Sequence, residues 1–241
     1  MSKKNSEPVS YGYRKISLGE ARQLSDAWLD NSLPQSQWQI VAPILKEKKV
    51  PEVAALVIEI IKRLGLVRPS ILDVGCSSGY YYDFFKWAGL STRYVGCDVS
   101  PHFVALARKS HRGIDFKMAP MTELPFMDGV YDIVLASGVL HTDLGYRRAL
   151  VELARVSKKY ILLHRLPVFS TGSKMNLSYY KKIGYGVEMM EIVFDWKTLL
   201  ALFSRLKLNV KEYLAGDRLD IKSPAYWSTI LLEKHTHGRS V

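Results

Sequence analysis

From Pro51 onward the apolar positions fall into two alternating periods. Val53, Leu56, Val57, Ile60, Ile61 and Leu64 recur at helical spacing, which places them on one helix face. Pro51 suits the first turn of that helix and Gly65 its end. Short apolar runs and helical stretches then take turns. Ser70 to Val74, Tyr94 to Cys97, Asp115 to Met118, Tyr131 to Ala136 and Tyr160 to His164 are expected as strands. Helices are expected near Gly79 to Ala88, from Pro101 to Ser110 and from Leu144 to Val156. Such alternation means βαβ units and a parallel sheet covered on both faces. The unbroken apolar triplets Ile133-Val134-Leu135 and Ile161-Leu162-Leu163 fit strands buried on both sides.

The flanks follow another pattern. Residues 1–50 are polar and aromatic, with Tyr11, Tyr13, Trp28 and Trp38 beside Pro34 and Pro43. One short helix is expected there, from about Leu18 to Leu29. After His164 the alternation stops. Residues 166–194 are rich in Gly, Ser and Tyr and are expected to be irregular, and a loop of that length is usually functional. A helix from Trp196 to Arg205 and two strands, Asn209 to Leu214 and Trp227 to Leu232, complete the expectation.

Composition narrows the classes. A hydrophobic fraction of 48% over 241 residues suffices for one α/β domain with a sizeable core. No run of apolar residues is long enough for a membrane helix, so no membrane span is expected. Met1 to Ser10 has no apolar signal core, and a cytoplasmic protein is expected. Cys76 and Cys97 lie in apolar surroundings without zinc-knuckle spacing, so both are expected reduced, and no metal site is expected. The net charge of +11 suggests a nucleic-acid partner or an acidic substrate. Lysines and arginines are scattered, however, and no nucleic-acid-binding signature appears, so a small-molecule partner is expected instead.

The chemistry sits in Ile71-Leu72-Asp73-Val74-Gly75-Cys76-Ser77-Ser78-Gly79-Tyr80, an apolar strand running through glycines into a helix. In open α/β sheets ligands bind beyond the carboxyl ends of the strands. The next helix start offers free N–H groups to an anion. The glycines are spaced wider than the dinucleotide pattern G-x-G-x-x-G, and Asp73 adds an acceptor that repels phosphate and favours an ammonium. A zwitterionic amino-acid tail meets both demands. One βα unit later, Tyr94-Val95-Gly96-Cys97-Asp98 ends in a carboxylate able to accept from both hydroxyls of a ribose. Ser100, just before Pro101, is the better cap for the following helix.

With these motifs the chain resembles the class I S-adenosylmethionine (SAM)-dependent methyltransferases, in the small-molecule branch of the type 11 kind. Thr122-Glu123-Leu124-Pro125-Phe126, the segment Tyr131 to His141 and the helix Arg148 to Val156 resemble further parts of that family. The resemblance covers roughly residues 51–166. It implies a doubly wound, mostly parallel seven-stranded sheet with helices on both faces and one antiparallel strand near the C-terminus. It implies one domain over residues 1–241: a substrate-side extension (1–50), the SAM-binding core (51–166), a substrate lid (167–194) and a C-terminal helix with strands (195–241). SAM contacts are expected from Asp73, Gly75, Cys76, Ser77, Gly79, Asp98, Val99, Met121, Thr122, Ala136 and Ser137. The family often has an acid reading adenine where this chain has Ala119-Pro120-Met121; Met121 can pack on the ring instead.

Methyl transfer from a sulfonium is an in-line displacement, so positioning dominates. A base is needed only where the acceptor loses a proton. His141, after the fourth core strand, is the expected base. Tyr11, Tyr13, His164, Arg165, Tyr179 and Tyr180 are expected to bind the acceptor. The expected reaction is O-methylation of a sugar or other metabolite. N-methylation, RNA methylation and SAM binding without transfer are the alternatives.

Overall fold

The computed structural model describes residues 12–235, so Tyr11 lies outside the described residues. Seven strands form the main sheet: β2 (Ser70–Val74), β3 (Arg93–Asp98), β4 (Asp115–Met118), β5 (Tyr131–Ser137), β6 (Ser157–Phe169), β9 (Leu208–Arg218) and β10 (Ala225–Lys234). Their order is β4-β3-β2-β5-β6-β10-β9. Every pair from β4 to β6 is parallel, and β10 runs antiparallel to both of its neighbours. The expected sheet is therefore the observed one. The order reverses between β2 and β5, and there the carboxyl ends of the strands open a crevice.

Two apolar clusters lie on the faces of this sheet. One joins α3 (Glu52–Arg63), α4 (Tyr80–Trp87) and α5 (Pro101–Ser110) through Val57, Ile61, Phe85, Val104 and Phe116. The other joins α6 (Tyr146–Val156) and α7 (Trp196–Arg205) through Leu150, Leu153, Leu199 and Phe203. Local signals hold where expected. Ser100 Oγ accepts from Phe103 N at 3.4 Å and caps α5 behind Pro101. Cys76 and Cys97 are both free and buried.

The flanks differ from their expected form. Two helices precede α3: α1 (Leu18–Gln23), closed by a Ser17–Glu20 capping box, and α2 (Leu33–Glu47). Pro34 stands in the first turn of α2, where a missing N–H costs nothing, and Pro43 lies inside it. Ile44 and Leu45 pack on the helical cluster and hold the last turn in place. Strand β6 runs on past His164 to Phe169. Residues 166–194 are not irregular: β7 (Ser178–Gly184) and β8 (Val187–Val193) form an antiparallel hairpin. With β1 (Arg14–Ile16) they make a second sheet, ordered β1-β7-β8. This sheet covers the crevice from the side of β6. Among the described residues no helix is long and apolar enough to cross a membrane.

Candidate active site

The turn after β2 is held by backbone bonds before any side chain enters. Gly75 (φ 73°), Ser77 (φ 53°) and Gly79 (φ 80°) all take left-handed conformations. Gly75 N and Cys76 N donate to the Cys97 carbonyl at 2.8 and 3.0 Å. A side chain at Gly75 would also collide with its neighbour, since a Cβ there would lie 2.6 Å from Val139 Cγ2. Ser77 carries a Cβ in this strained region, and two bonds hold it there. Its N–H donates to Asp98 Oδ2 at 2.8 Å, and its hydroxyl donates to Gln37 Oε1 from α2. Asp98 Oδ1 accepts from Ser100 N at 2.9 Å. Burial pushes the Asp98 carboxyl above its ordinary value, and the backbone donors of Ser100, Ser77 and Val99 oppose that.

A cavity of about 430 Å³ opens beside this turn, within the range typical of small-molecule sites. Of the residues expected to contact the cofactor, Gly75, Ser77, Asp98, Val99, Met121 and Ser137 line it. Ala119 and Pro120 complete an apolar wall beside Met121 and Phe103. Asp73, Cys76, Gly79, Thr122 and Ala136 are not among the lining residues. Asp73 is 1% exposed and accepts the Tyr94 hydroxyl at 2.6 Å, while burial raises its carboxyl to about 7. Its acceptor capacity serves the core behind the turn. Cys76 and Ala136 point into packing as strand or turn residues that are 2% exposed.

At the other end His141 is carried by a short 3-10 helix, Leu140–Thr142, that follows Gly138 and Val139. His141 lines the cavity yet is only 2% exposed. Its Nε2 lies 3.2 Å from Glu191 Oε1, and its Nδ1 has no partner. Glu191, on β8, is 1% exposed between the buried apolar residues Met189, Met190, Ile192 and Val193. Lys182 on β7 ion-pairs with the same oxygen, and Tyr13 OH donates to Oε2 at 2.8 Å. Burial raises the Glu191 carboxyl, but His141 and Lys182 outweigh it and hold the group down at about 2. Desolvation holds the His141 imidazole below its ordinary value, more than Glu191 raises it. At neutral pH the imidazole is thus uncharged. Its Nε2–H donates to the Glu191 carboxylate, which leaves the Nδ1 lone pair free.

Aromatic rings surround this end. The His141 ring meets Trp227 edge-on at 5.4 Å, and Trp28 meets Tyr185 at 6.2 Å. Trp28 Nε1 is buried without a partner on the cavity wall. Two orphaned polar groups, Trp28 Nε1 and His141 Nδ1, are what a ligand with complementary atoms would satisfy.

The expected acceptor contacts separate. Arg165 lines the cavity. Tyr13 reaches it only through Glu191. His164 does not line it: Nδ1 bonds Thr229 Oγ1 at 2.8 Å inside the sheet, and burial lowers the ring to about 4. Tyr179 and Tyr180 do not line it either. Tyr180 packs edge-on to Tyr13 at 6.3 Å, and Tyr179 packs on the large apolar cluster, so both serve the second sheet. Glu191, Lys182, Gln37, Trp28, Tyr185 and Trp227 were not expected in the site. One signal did exist: Glu191 is a lone acid in the apolar run Met189-Met190-Glu191-Ile192-Val193-Phe194.

Residues 72–160 match the family model of the methyltransferase domain. Malonyl-[acyl-carrier protein] O-methyltransferase of Buchnera aphidicola is 29% identical over 89 residues, 37% of this chain and 35% of that protein. Phthiotriol/phenolphthiotriol dimycocerosates methyltransferase of Mycobacterium tuberculosis is 32% identical over 88 residues, 36% of this chain and 33% of that protein. The chain thus spans about a third of the length of these curated relatives. The solved 1,6-didemethyltoxoflavin-N1-methyltransferase of Burkholderia thailandensis, with bound 1,6-didemethyltoxoflavin and S-adenosylhomocysteine, aligns at a TM-score of 0.61. That alignment covers 95% of this chain and 99% of that one at 15% identity. The fold is that of the class I SAM-dependent methyltransferases. Residues 72–160 carry the match to the methyltransferase domain, and the solved neighbour of this fold holds S-adenosylhomocysteine, the product of SAM.

Proposed function

We propose that this protein transfers a methyl group from SAM to a hydroxyl of a small molecule, with His141 taking the proton. One observation carries the reading: a buried imidazole, tied through Nε2 to a carboxylate and unpartnered at Nδ1, on the wall of a cavity whose far end holds the glycine turn and Asp98. The residues at that far end suit SAM. Asp98 keeps lone pairs for the ribose hydroxyls beyond its two backbone donors. Val99, Phe103 and Met121 offer an apolar slot to the adenine. When bound, SAM supplies an electrophilic methyl carbon.

The chain's own work is then placement and proton removal. Trp28, Tyr185 and Trp227 give flat, partly polar walls to an acceptor such as a sugar or an aromatic metabolite. Glu191 fixes the tautomer of His141, and its charge stabilises the imidazolium that forms when Nδ1 takes the hydroxyl proton. Lys182 and Tyr13 hold that carboxylate ionised. The test is titration of the pure protein with SAM and with NAD(H), followed by an acceptor panel of hydroxylated and amine metabolites. SAM binding with hydroxyl methylation is the expected result. Binding of NAD alone overturns the cofactor reading. Methylation confined to amines, or RNA binding that falls steeply with salt, overturns the acceptor reading.

A further inference from the structure

Strand β6 is irregular beside the cavity. Its apolar face runs through Ile161, Leu163, Leu166 and Val168, so the alternation slips once, between Leu163 and Leu166. The pairing with β10 slips at the same place: Leu163 faces Ile230 and Leu166 faces Ser228, which leaves His164 and Arg165 opposite Thr229 alone. This is a β-bulge, a device that re-aims a side chain. His164 takes the partner, through its bond to Thr229 Oγ1 at 2.8 Å. Arg165 is the extra residue, and its φ of 52° is a left-handed conformation that a residue with a side chain adopts only under constraint. Unbroken alternation would put Arg165 on the apolar face with Leu163. The bulge leaves it exposed and on the cavity wall instead.

There its guanidinium lies over the Trp227 ring at 4.9 Å. The same ring carries Lys182 Nζ at 5.7 Å and meets His141 edge-on at 5.4 Å. One indole therefore joins Arg165 to the acceptor end. Desolvation is the main reason the His141 imidazole titrates low, and the charges of Lys182 and Arg165 add to it. The two cations differ in their partners. Lys182 is paired with Glu191. Among the described residues no carboxylate lies within ion-pair distance of Arg165. The acids on the cavity wall are held elsewhere: Glu191 by Lys182, Asp98 by the N–H groups of Ser77 and Ser100, Asp143 by Gly145 N and Asp26 by the Ser25 hydroxyl.

Resting on the reading of this cavity as a methyltransferase site with His141 as base, we infer that Arg165 receives a carboxylate on the acceptor, so that the acceptor is a hydroxylated acid. The guanidinium presents a planar fork that matches a carboxylate with two parallel hydrogen bonds. One unpaired positive charge suits one negative charge. A phosphate would bring a second, and the other cation on the wall, Lys182, already has its counter-ion. Trp227 supplies a flat surface between the anchor and the base. The carboxylate only anchors: the methyl goes to the hydroxyl oxygen, the hydroxyl proton goes to His141 Nδ1, and the carboxylate keeps its charge. The constrained bulge holds the root of the side chain before the acceptor arrives, so less freedom is lost on binding.

Matched pairs of acceptors test this. Para-hydroxybenzoate, meta-hydroxybenzoate and mandelate are each compared with their primary amides, which keep the hydroxyl and the shape but lose the charge. Calorimetry is run on the S-adenosylhomocysteine complex of wild type, Arg165→Gln and Arg165→Lys. In the wild type at least one acid is expected to bind about tenfold or more tighter than its amide, the worth of a charged contact. Arg165→Gln is expected to abolish that preference and to leave S-adenosylhomocysteine affinity within about twofold, which also reports an intact fold. Arg165→Lys is expected to recover part of the preference, because it keeps the charge without the fork. Amides that bind as well as their acids, or acids that do not bind, overturn the inference. So does an acid preference that survives Arg165→Gln, and so does a loss of S-adenosylhomocysteine affinity in Arg165→Gln equal to the loss of acid affinity. A wild type that binds no S-adenosylhomocysteine overturns the cofactor reading itself. Acids held through Arg165 while only amines are methylated would support the anion site and overturn the hydroxyl reading alone.

Discussion

The end of the cavity proposed for the cofactor and the end proposed for the acceptor are assembled by different means. The first is built within a short stretch of chain, from Val74 to Val99, with Met121 and Ser137 added by the next two strands. Its key bonds all have backbone donors: Gly75 N and Cys76 N to Cys97 O, and Ser77 N and Ser100 N to the Asp98 carboxylate. The second end gathers Trp28, His141, Lys182, Glu191 and Trp227 from five elements spread between residues 27 and 234, and its key bonds join side chains. Turns that place backbone groups are specified by local residue types, above all by glycine. Buried charges are specified by partners that only tertiary structure supplies. The proposed donor site is therefore a property of a motif, and the proposed acceptor site a property of the topology.

If that division is right, damage at one end should leave the other intact. The largest effect is expected at His141. His141→Ala removes the free Nδ1 and should lower kcat by about 10²–10⁴-fold. S-adenosylhomocysteine affinity by calorimetry should stay within about twofold. A parallel loss of affinity would merge the two ends into one. The wild-type rate should rise with pH through the His141 value, which desolvation holds below the ordinary 6.5, and that limb should vanish in the mutant.

Glu191→Gln comes next, and it acts on stability. It leaves Lys182 charged beside a neutral amide in a buried place, and breaking such a pair costs about 3 kcal/mol or more. Urea denaturation at pH 7 reads this. The acid limb gives a second check. The folded Glu191 value, about 2, lies below its ordinary 4.5. Its stabilisation is thus complete above about pH 4.5 and fades as the pH falls toward 2. The wild type should lose this share of stability on acidification, whereas Glu191→Gln should show a shallower acid slope. Equal slopes would mean that the carboxylate is not held ionised by its neighbours.

Asp98→Asn tests the other end. It keeps the size and one acceptor of Asp98 but removes the charge that accepts from Ser77 N and Ser100 N and that is proposed to accept from a ribose diol. S-adenosylhomocysteine affinity should fall about 10- to 100-fold, the equivalent of a charged hydrogen bond. The pH position of the His141 limb should not move. A moved limb would show that the ends communicate. The neighbouring Gly75→Val change is a poor probe, because a Cβ meets Val139 and any lost binding would be mixed with misfolding.

The same division explains what was legible in the sequence. Strand β2, strand β4, α5 and α7 coincide with the patterns that announce them, because each is a periodic run bounded by a cap, a proline or a glycine. Helix α2 was missed because Pro34 and Pro43 suggest breaks, yet one sits in a first turn and the other is carried by the packing of Ile44 and Leu45. The β7–β8 hairpin was missed because Lys181, Lys182 and the glycines Gly184 and Gly186 hide its alternation. With the hairpin went Glu191 and Lys182, whose burial makes sense only once β7 and β8 face each other. Asp73 shows the opposite case: its place in the motif was plain, but its partner Tyr94 became visible only in three dimensions.

Tyr13→Phe is expected to have the smallest effect and gives the finest test of how the acceptor end is wired. Tyr13 precedes β1 and donates to Glu191 Oε2 at 2.8 Å, so it touches the base only through the carboxylate. Removing one donor makes that carboxylate a better acceptor for the His141 Nε2–H, and the imidazolium form gains. The pH limb of kcat should therefore move upward, by less than about one unit, since one hydrogen bond is worth about 1 kcal/mol and one unit 1.36 kcal/mol. Well above the limb, where the imidazole is uncharged in both proteins, kcat should change less than about threefold. Glu191→Gln should move the same limb the other way, because it removes the anion that favours imidazolium and leaves the Lys182 charge that opposes it. Opposite shifts from two substitutions, with S-adenosylhomocysteine affinity unchanged in both, would be hard to obtain unless Glu191 sets the proton affinity of His141. Shifts of the same sign would mean that the limb belongs to another group.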